Sequence, residues 1–206
     1  MRRGKLISIE GIDGAGKTTL AAALAAALSE RGIDVRLLRE PGGVRAAEQI
    51  RELVKDPNHV IGARAEALLY AAARAQLIEE AVEPLLSAGT WVLLDRFVDS
   101  SLAYQGGGRR LGVDQVREIN AFATGGLMPD RTLLLYLDPA LARARSRWRT
   151  DPPDRLEREG EDFHAKIART YEELASSDPE RIRRLDASQG ELALLASALS
   201  ALEDLA

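Results

Sequence analysis

The chain has 206 residues, enough for one well-packed domain with a small mobile insertion but not for a second independent core. Its 28 basic and 32 acidic residues give a net charge of −4, which argues against non-specific nucleic-acid or membrane binding. The absence of cysteine excludes disulfides, thiolate metal sites and thiol nucleophiles, so a bound metal would be held by oxygen ligands. In chain order, the first apolar run is Leu6 to Glu10, and it leads directly into Gly11-Ile12-Asp13-Gly14-Ala15-Gly16-Lys17-Thr18. That octet is a complete G-x-x-x-x-G-K-[ST] phosphate loop, followed by an alanine-rich helical run from Leu20 to Leu28. A buried strand, a glycine turn and a helix N-terminus in this order converge backbone N–H groups on phosphate oxygens. Gly11, Ile12, Asp13, Gly14, Ala15, Gly16, Lys17 and Thr18 are therefore read as the ATP-binding loop. Lys17 supplies charge to the terminal phosphates and the Thr18 hydroxyl a Mg²⁺ ligand.

Further apolar, β-rich runs follow at Asp34 to Arg39, Trp91 to Asp95, Thr132 to Asp138 and Arg181 to Asp186, alternating with helical patterns. This alternation predicts an α/β fold with a mostly parallel sheet and helices on both faces. The segment from Ala63 to Ala88 is rich in helix formers and stops at Gly89. Near the C-terminus, Leu192, Leu195, Leu199 and Leu202 recur at helical spacing, read as a helix packing its leucines into the core. Arg143 to Glu161 is a compositional outlier: arginines at 143, 145, 147 and 149, then Asp151-Pro152-Pro153-Asp154 and Arg155, with little to bury. It is read as part of a single domain of residues 1–206. No run reaches the length of a membrane span, and Arg2-Arg3 lead into no secretion-signal pattern, so a cytoplasmic protein is expected.

In open α/β sheets ligands sit beyond the carboxyl ends of the strands. The second run ends in Arg39-Glu40-Pro41-Gly42-Gly43 and the third in Asp95-Arg96-Phe97, soon followed by Ser100-Ser101-Leu102-Ala103-Tyr104-Gln105-Gly106. Asp95 can hold a Mg²⁺-bound water, and Arg96 can clamp a transferring phosphoryl group. Three readings are compatible with the loop itself. They are a nucleotide kinase, another P-loop phosphotransferase, and a nucleotide-dependent switch or ATPase module.

The loop, the Arg-Glu-Pro-Gly-Gly stretch, Asp95-Arg96, Ala103-Tyr104-Gln105-Gly106 and Asp154-Arg155-x-Glu157 together resemble the bacterial type of thymidylate kinase, over nearly the whole chain. The resemblance implies a five-stranded parallel sheet of the P-loop kinase fold with a mobile lid at about residues 143–161. The reaction it implies is Mg·ATP + dTMP → ADP + dTDP, with Mg²⁺ as cofactor, ATP and dTMP as partners, and a homodimer. It implies that Asp13 meets the sugar 3′-hydroxyl and organises the metal site, and that Tyr70 stacks on thymine where phenylalanine is usual. Arg74 contacts the base or acceptor phosphate, Ser101 faces the pyrimidine edge, and Tyr104 lies beneath the deoxyribose and crowds a 2′-hydroxyl. Gln105 belongs to the same substrate-binding stretch, Arg39 and Arg45 are further phosphate anchors, and Ala187-Ser188-Gln189 lies where the adenine passes. Gly14-Ala15 stands where some members carry an arginine, so the transition-state charge must be met from the lid, by Arg147 and Arg149, with Glu157 orienting a lid arginine. Lys17, Arg96, Arg147 and Arg149 are the catalytic residues so read.

Overall fold

The structure, a computed structural model, describes residues 3–146 and 153–205. Five parallel strands form one sheet in the order β2-β3-β1-β4-β5, with β1 Leu6–Gly11, β2 Val35–Arg39, β3 Trp91–Asp95, β4 Arg131–Tyr136 and β5 Ile182–Asp186. All five fall on the apolar runs expected to be strands. The reversal of strand order around β1 places its carboxyl end at the switch point, where ligands bind in such sheets.

Because strand side chains alternate between faces, β1 separates two cores. Ile7 and Ile9 join Leu24 and Leu28 of helix α1 (Lys17–Glu30) and Leu194 and Ala198 of α9 (Glu191–Ser200). Leu6 joins the opposite core with Val92, Leu94 and Leu134. That core is covered by α3 (Ala63–Leu77), α4 (Glu83–Ser87) and α8 (Glu161–Ser177), which contribute Leu77, Leu86, Ile167 and Tyr171. Ser8 and Glu10 share Leu6's parity. Their polar groups lie buried in this second layer, where Ser8 Oγ meets Thr132 Oγ1 at 2.8 Å.

The long helical pattern after residue 63 runs from α3 through the π-helical turn Ile78–Val82 into α4, and Gly89, at φ 91°, follows its end. The C-terminal leucine expectation is corrected at one position. Leu192 is 85% exposed, while Leu194, which was not singled out, is buried with Leu202. The Leu192 spacing follows the helix period, but α9 meets the sheet along a stripe that passes through Leu194 and Ala198. The arginine-rich segment also buries more than its composition suggested. After α7 (Pro139–Ser146), residues 153–160 form turns whose Leu156 is 8% exposed and belongs to the α3 and α8 core. Arg147 and Arg149 lie outside the described residues.

Candidate active site

The phosphate loop is built by β1 and α1. Gly11 adopts φ 139°, and a Cβ there would stand 2.6 Å from the Leu135 carbonyl oxygen, so strand β4 leaves room for glycine alone. Gly16, at φ 93°, precedes α1, whose N-terminus carries no side-chain cap and no acidic residue in its first turn. Its free N–H groups and positive dipole end therefore face the loop as an anion site. Lys17 is 8% exposed, donates from Nζ to the Ile12 carbonyl at 2.9 Å, and lies 4.0 Å from Asp13. Burial, reinforced by the nearby Arg96 cation, pulls its pKa down to about 8.

At the end of β3, the Thr18 hydroxyl donates to Asp95 Oδ2 at 2.7 Å. Arg96 sits at φ 73°, a conformation that L residues adopt only when their surroundings dictate it. Here they do: its backbone N–H donates to Ile9 O at 3.0 Å, and its guanidinium to Gly11 O at 3.1 Å, Ser100 Oγ at 3.1 Å, Tyr104 Oη at 3.2 Å and Asp13. The Tyr104 hydroxyl donates to Asp13 Oδ2 at 2.8 Å. Burial alone would raise Asp13, but Arg96, Lys17 and the Tyr104 hydroxyl outweigh it and hold the carboxyl well below its usual range. Behind this layer lies Glu10, fully buried, whose carboxylate accepts from Phe97 N at 2.8 Å, Ser100 Oγ at 2.5 Å and Tyr171 Oη at 3.0 Å. Desolvation, then the Asp99 carboxylate, push its pKa up to about 7.

The phosphate loop opens into a cleft of about 800 Å³ that continues to the far side of β3. Asp13, Gly14, Gly16, Lys17, Thr18, Arg39, Tyr70, Arg74, Asp95, Arg96, Ser101, Tyr104 and Gln105 all line it, so residues spread over 93 positions share one wall. The remaining loop residues, Gly11, Ile12 and Ala15, shape the backbone without lining the cleft. Arg39 pairs at 2.9 Å with Glu48 of α2 (Arg45–Lys55), and both are exposed. Arg45 is exposed at the start of that helix, away from the cleft.

Arg74 is almost fully buried, and its guanidinium is held by protein acceptors on every nitrogen. Nε donates to Glu40 at 2.8 Å, Nη2 to the Phe97 carbonyl at 3.0 Å, and Nη1 to Ser101 Oγ at 3.0 Å and to Asn120, while the ion pair brings Nη2 within 2.6 Å of Glu40. Ser101 accepts from Arg74, which leaves its own hydroxyl proton available toward the cleft. Tyr70, half-buried one turn before Arg74, has its phenol pushed up by burial and by the Glu66 carboxylate. Gln105 donates from Nε2 to Glu66 at 2.9 Å.

Several cleft residues escaped the sequence reading. Arg51 and Lys55 line the cleft with Glu48, at the i, i+3, i+7 spacing that puts all three on one face of α2, and Arg51 donates to Pro41 O at 2.8 Å. That periodicity was the available signal. Arg145 of α7 also lines the cleft and donates to the Ala187 carbonyl at 3.0 Å, tying α7 to the loop after β5. Glu10, Asn120 and Glu66 left no local signal, because their partners lie far away in sequence.

A parallel sheet with a glycine phosphate loop at its switch point, opening into a cleft lined from several distant stretches, defines a P-loop nucleotide-binding protein of the α/β class. The chain belongs to the thymidylate kinase family, whose family model, described as Thymidylate kinase, matches residues 9–197. It is 48% identical over 190 residues to the thymidylate kinase of Lactobacillus delbrueckii, covering 91% of this chain and 90% of that one. With the thymidylate kinase of Oenococcus oeni it shares 48% identity over 209 residues, covering 99% and 97%. The solved thymidylate kinase of Ehrlichia chaffeensis superposes with a TM-score of 0.81 at 26% identity, over 98% of this chain and 99% of that chain.

Proposed function

We infer that this protein transfers the γ-phosphate of Mg·ATP to dTMP, giving ADP and dTDP on the way to dTTP. The observation that carries the reading is that the phosphate loop and the Tyr70, Ser101 and Tyr104 pocket open into one cleft in a chain of the thymidylate kinase family.

The acceptor oxygen belongs to a phosphate that is already ionised at neutral pH, so no general base is required. It bonds to the γ-phosphorus as the bond to the β–γ bridging oxygen breaks, and ADP leaves. The protein's share is positioning and charge. Lys17 and the α1 N-terminus hold the donor phosphates. Arg96, fixed by Asp13 and the Gly11 carbonyl, presents its fork between donor and acceptor. Tyr104 and Asp13 form one hydrogen-bonded floor for the sugar: Asp13 takes the 3′-hydroxyl and the Tyr104 ring crowds a 2′-hydroxyl. Tyr70 stacks on the thymine and Ser101 donates to its edge, with Arg74 serving that edge by holding Ser101. Gln105 braces the pocket wall, and Arg39 anchors the acceptor phosphate.

Thr18 and Asp95 suit Mg²⁺, which favours oxygen donors and takes few protein ligands alongside substrate phosphates. Among the described residues no cluster of three or more His, Asp or Glu could hold a metal by itself. Bound there, the ion neutralises charge on the donor phosphates. Arg147 and Arg149 are proposed to complete the charge from the lid of this single domain. Replacing both with alanine should lower turnover by roughly 10³-fold or more, with little change in dTMP affinity. No described helix is long and apolar enough to cross a membrane. We propose a cytoplasmic location and a homodimer; the dimer rests on the family resemblance.

The test is ADP formation with Mg·ATP against dTMP, dUMP, UMP, dCMP, dGMP and thymidine. Strong preference for dTMP is expected. Preference for another monophosphate would overturn the roles of Tyr70, Ser101 and Tyr104, and ADP release without an acceptor would favour an ATPase or switch.

A further inference from the structure

Glu66 stands in the first turn of α3 and has no exposed surface. Its carboxylate collects donors from two distant parts of the chain. Gln105 Nε2 reaches Oε1 at 2.9 Å, Arg109 spans both oxygens from Nε at 3.1 Å and from Nη2 at 3.0 Å, and Arg155 Nη1 reaches Oε2 at 2.7 Å. A carboxylate stripped of water is costly unless charged donors of good geometry replace that water, and two guanidinium groups do so here.

Arg155 lies in the turns at 153–160, in the later part of the segment read as the lid. It is bound on three sides: besides Glu66, its Nε donates to the Val54 carbonyl at 2.9 Å and its backbone N–H to the Lys55 carbonyl at 3.2 Å. Asp154 adds an ion pair with Lys55 at 3.0 Å. Arg109 closes the same cluster from the other side, pairing with Glu159 at 2.5 Å and lying 4.8 Å over the Phe163 ring. Asp154, Leu156 and Glu157 line the cleft from this segment, and Gln105 and Tyr70, one turn along α3 from Glu66, line the same cleft.

We propose that Glu66 is a positioning residue for the acceptor: it latches the segment at 153–160 onto α2 and α3 and, through its hydrogen bond to Gln105, sets that part of the cleft, which Tyr70 also lines, against the bound nucleotide monophosphate. The proposal rests on the kinase reading above. No phosphate-loop residue touches the cluster, so its influence falls on the acceptor half of the cleft.

The experiment is steady-state kinetics of Glu66→Gln, with each substrate varied at saturation of the other. KM for dTMP should rise on the order of tenfold, about 1.4 kcal/mol of acceptor binding, while KM for ATP stays within about twofold. Arg155→Gln, which leaves Glu66 paired with Arg109, should give the same selective rise, and provides the test if Glu66→Gln does not fold. The double variant should be no worse than Glu66→Gln alone, because both changes remove one latch. Loss of thermal stability with both KM values unchanged would overturn the proposal, as would equal rises in both. Failure of the unmodified protein to phosphorylate dTMP would overturn the kinase reading instead. The latch would then be judged by hydrogen exchange at 153–160, which must quicken in Glu66→Gln for the latch to stand.

Discussion

The two halves of the cleft are built by opposite means. The donor half is made by neighbours in sequence: one strand end, one glycine loop and one helix start hold Lys17 and Thr18, and the helix start presents uncapped backbone N–H groups. The acceptor half is made by side chains from five separate stretches, held by buried ion pairs such as Arg74 with Glu40 and Arg109 and Arg155 with Glu66. Arg96 joins the two, with its backbone on β1, its guanidinium on Asp13 and Gly11, and Tyr104 beneath it at 5.0 Å from the ring centre. A backbone-built site tolerates change in its surroundings, whereas a site built from charge pairs depends on every partner being present.

The largest effect should come at that junction. Arg96→Ala should reduce turnover by about 10²–10³-fold, the range for removing one preorganised charge donor. Arg96→Lys should recover little of it, since an ammonium cannot reach Gly11 O, Asp13 and Ser100 from one planar fork. Steady-state assays decide this, and a wild-type rate in either variant would separate Arg96 from the chemistry.

In the acceptor half, Arg74→Ala leaves Glu40 buried without its cation and should destabilise the fold by about 3–5 kcal/mol, or roughly 10 °C in melting temperature at this size. Equal stability of variant and parent would mean that the Arg74 network contributes nothing to holding that wall.

A smaller, pH-dependent effect is expected at Glu10, which is faced by Asp99, Arg96, Ser100 and Tyr171. Its carboxyl keeps its proton in the folded state up to about pH 7 but releases it near 4.5 when unfolded. The folded state therefore binds more protons between these values, and the associated stability is lost as pH rises from 4.5 through 7. Glu10→Gln should flatten that part of the curve of melting temperature against pH. Identical slopes in variant and parent would contradict the assignment.

The smallest effect belongs to the exposed pair Arg39 and Glu48, whose coupling in a double-mutant cycle of unfolding should be below about 1 kcal/mol. A larger coupling without substrate would make this rim part of the folded scaffold rather than an anchor free to turn toward a phosphate.

The donor half was legible because it is local. Gly11 to Thr18 are contiguous, and the strand before them and helix after them follow from apolar patterning. Asp95 and Arg96 were found because they end a run that reads as a strand. In the acceptor half, Tyr70, Arg74, Ser101 and Tyr104 came from the family resemblance. Arg51 and Lys55 were within reach of helical periodicity on α2. Glu10, Glu66 and Asn120 were not, since a lone buried polar residue shows itself only through its partners, and Gln105, Arg109 and Arg155 lie 39, 43 and 89 positions from Glu66. Leu192 misled because helical spacing identifies a face without saying which way it turns.

By itself the sequence determined the parallel α/β architecture, the five strands, the phosphate loop and its chemistry, since these depend on periodicity and on glycines next to one another in the chain. Only the tertiary structure decided which charges meet: that Arg74 is held by Glu40, Ser101 and Asn120, that Glu10 supports the turn bearing Arg96, and that Glu66 gathers the segment at 153–160. The physical reason is that burial sets the strength of a charge pair, and burial is a property of packed elements that no local stretch of residues contains.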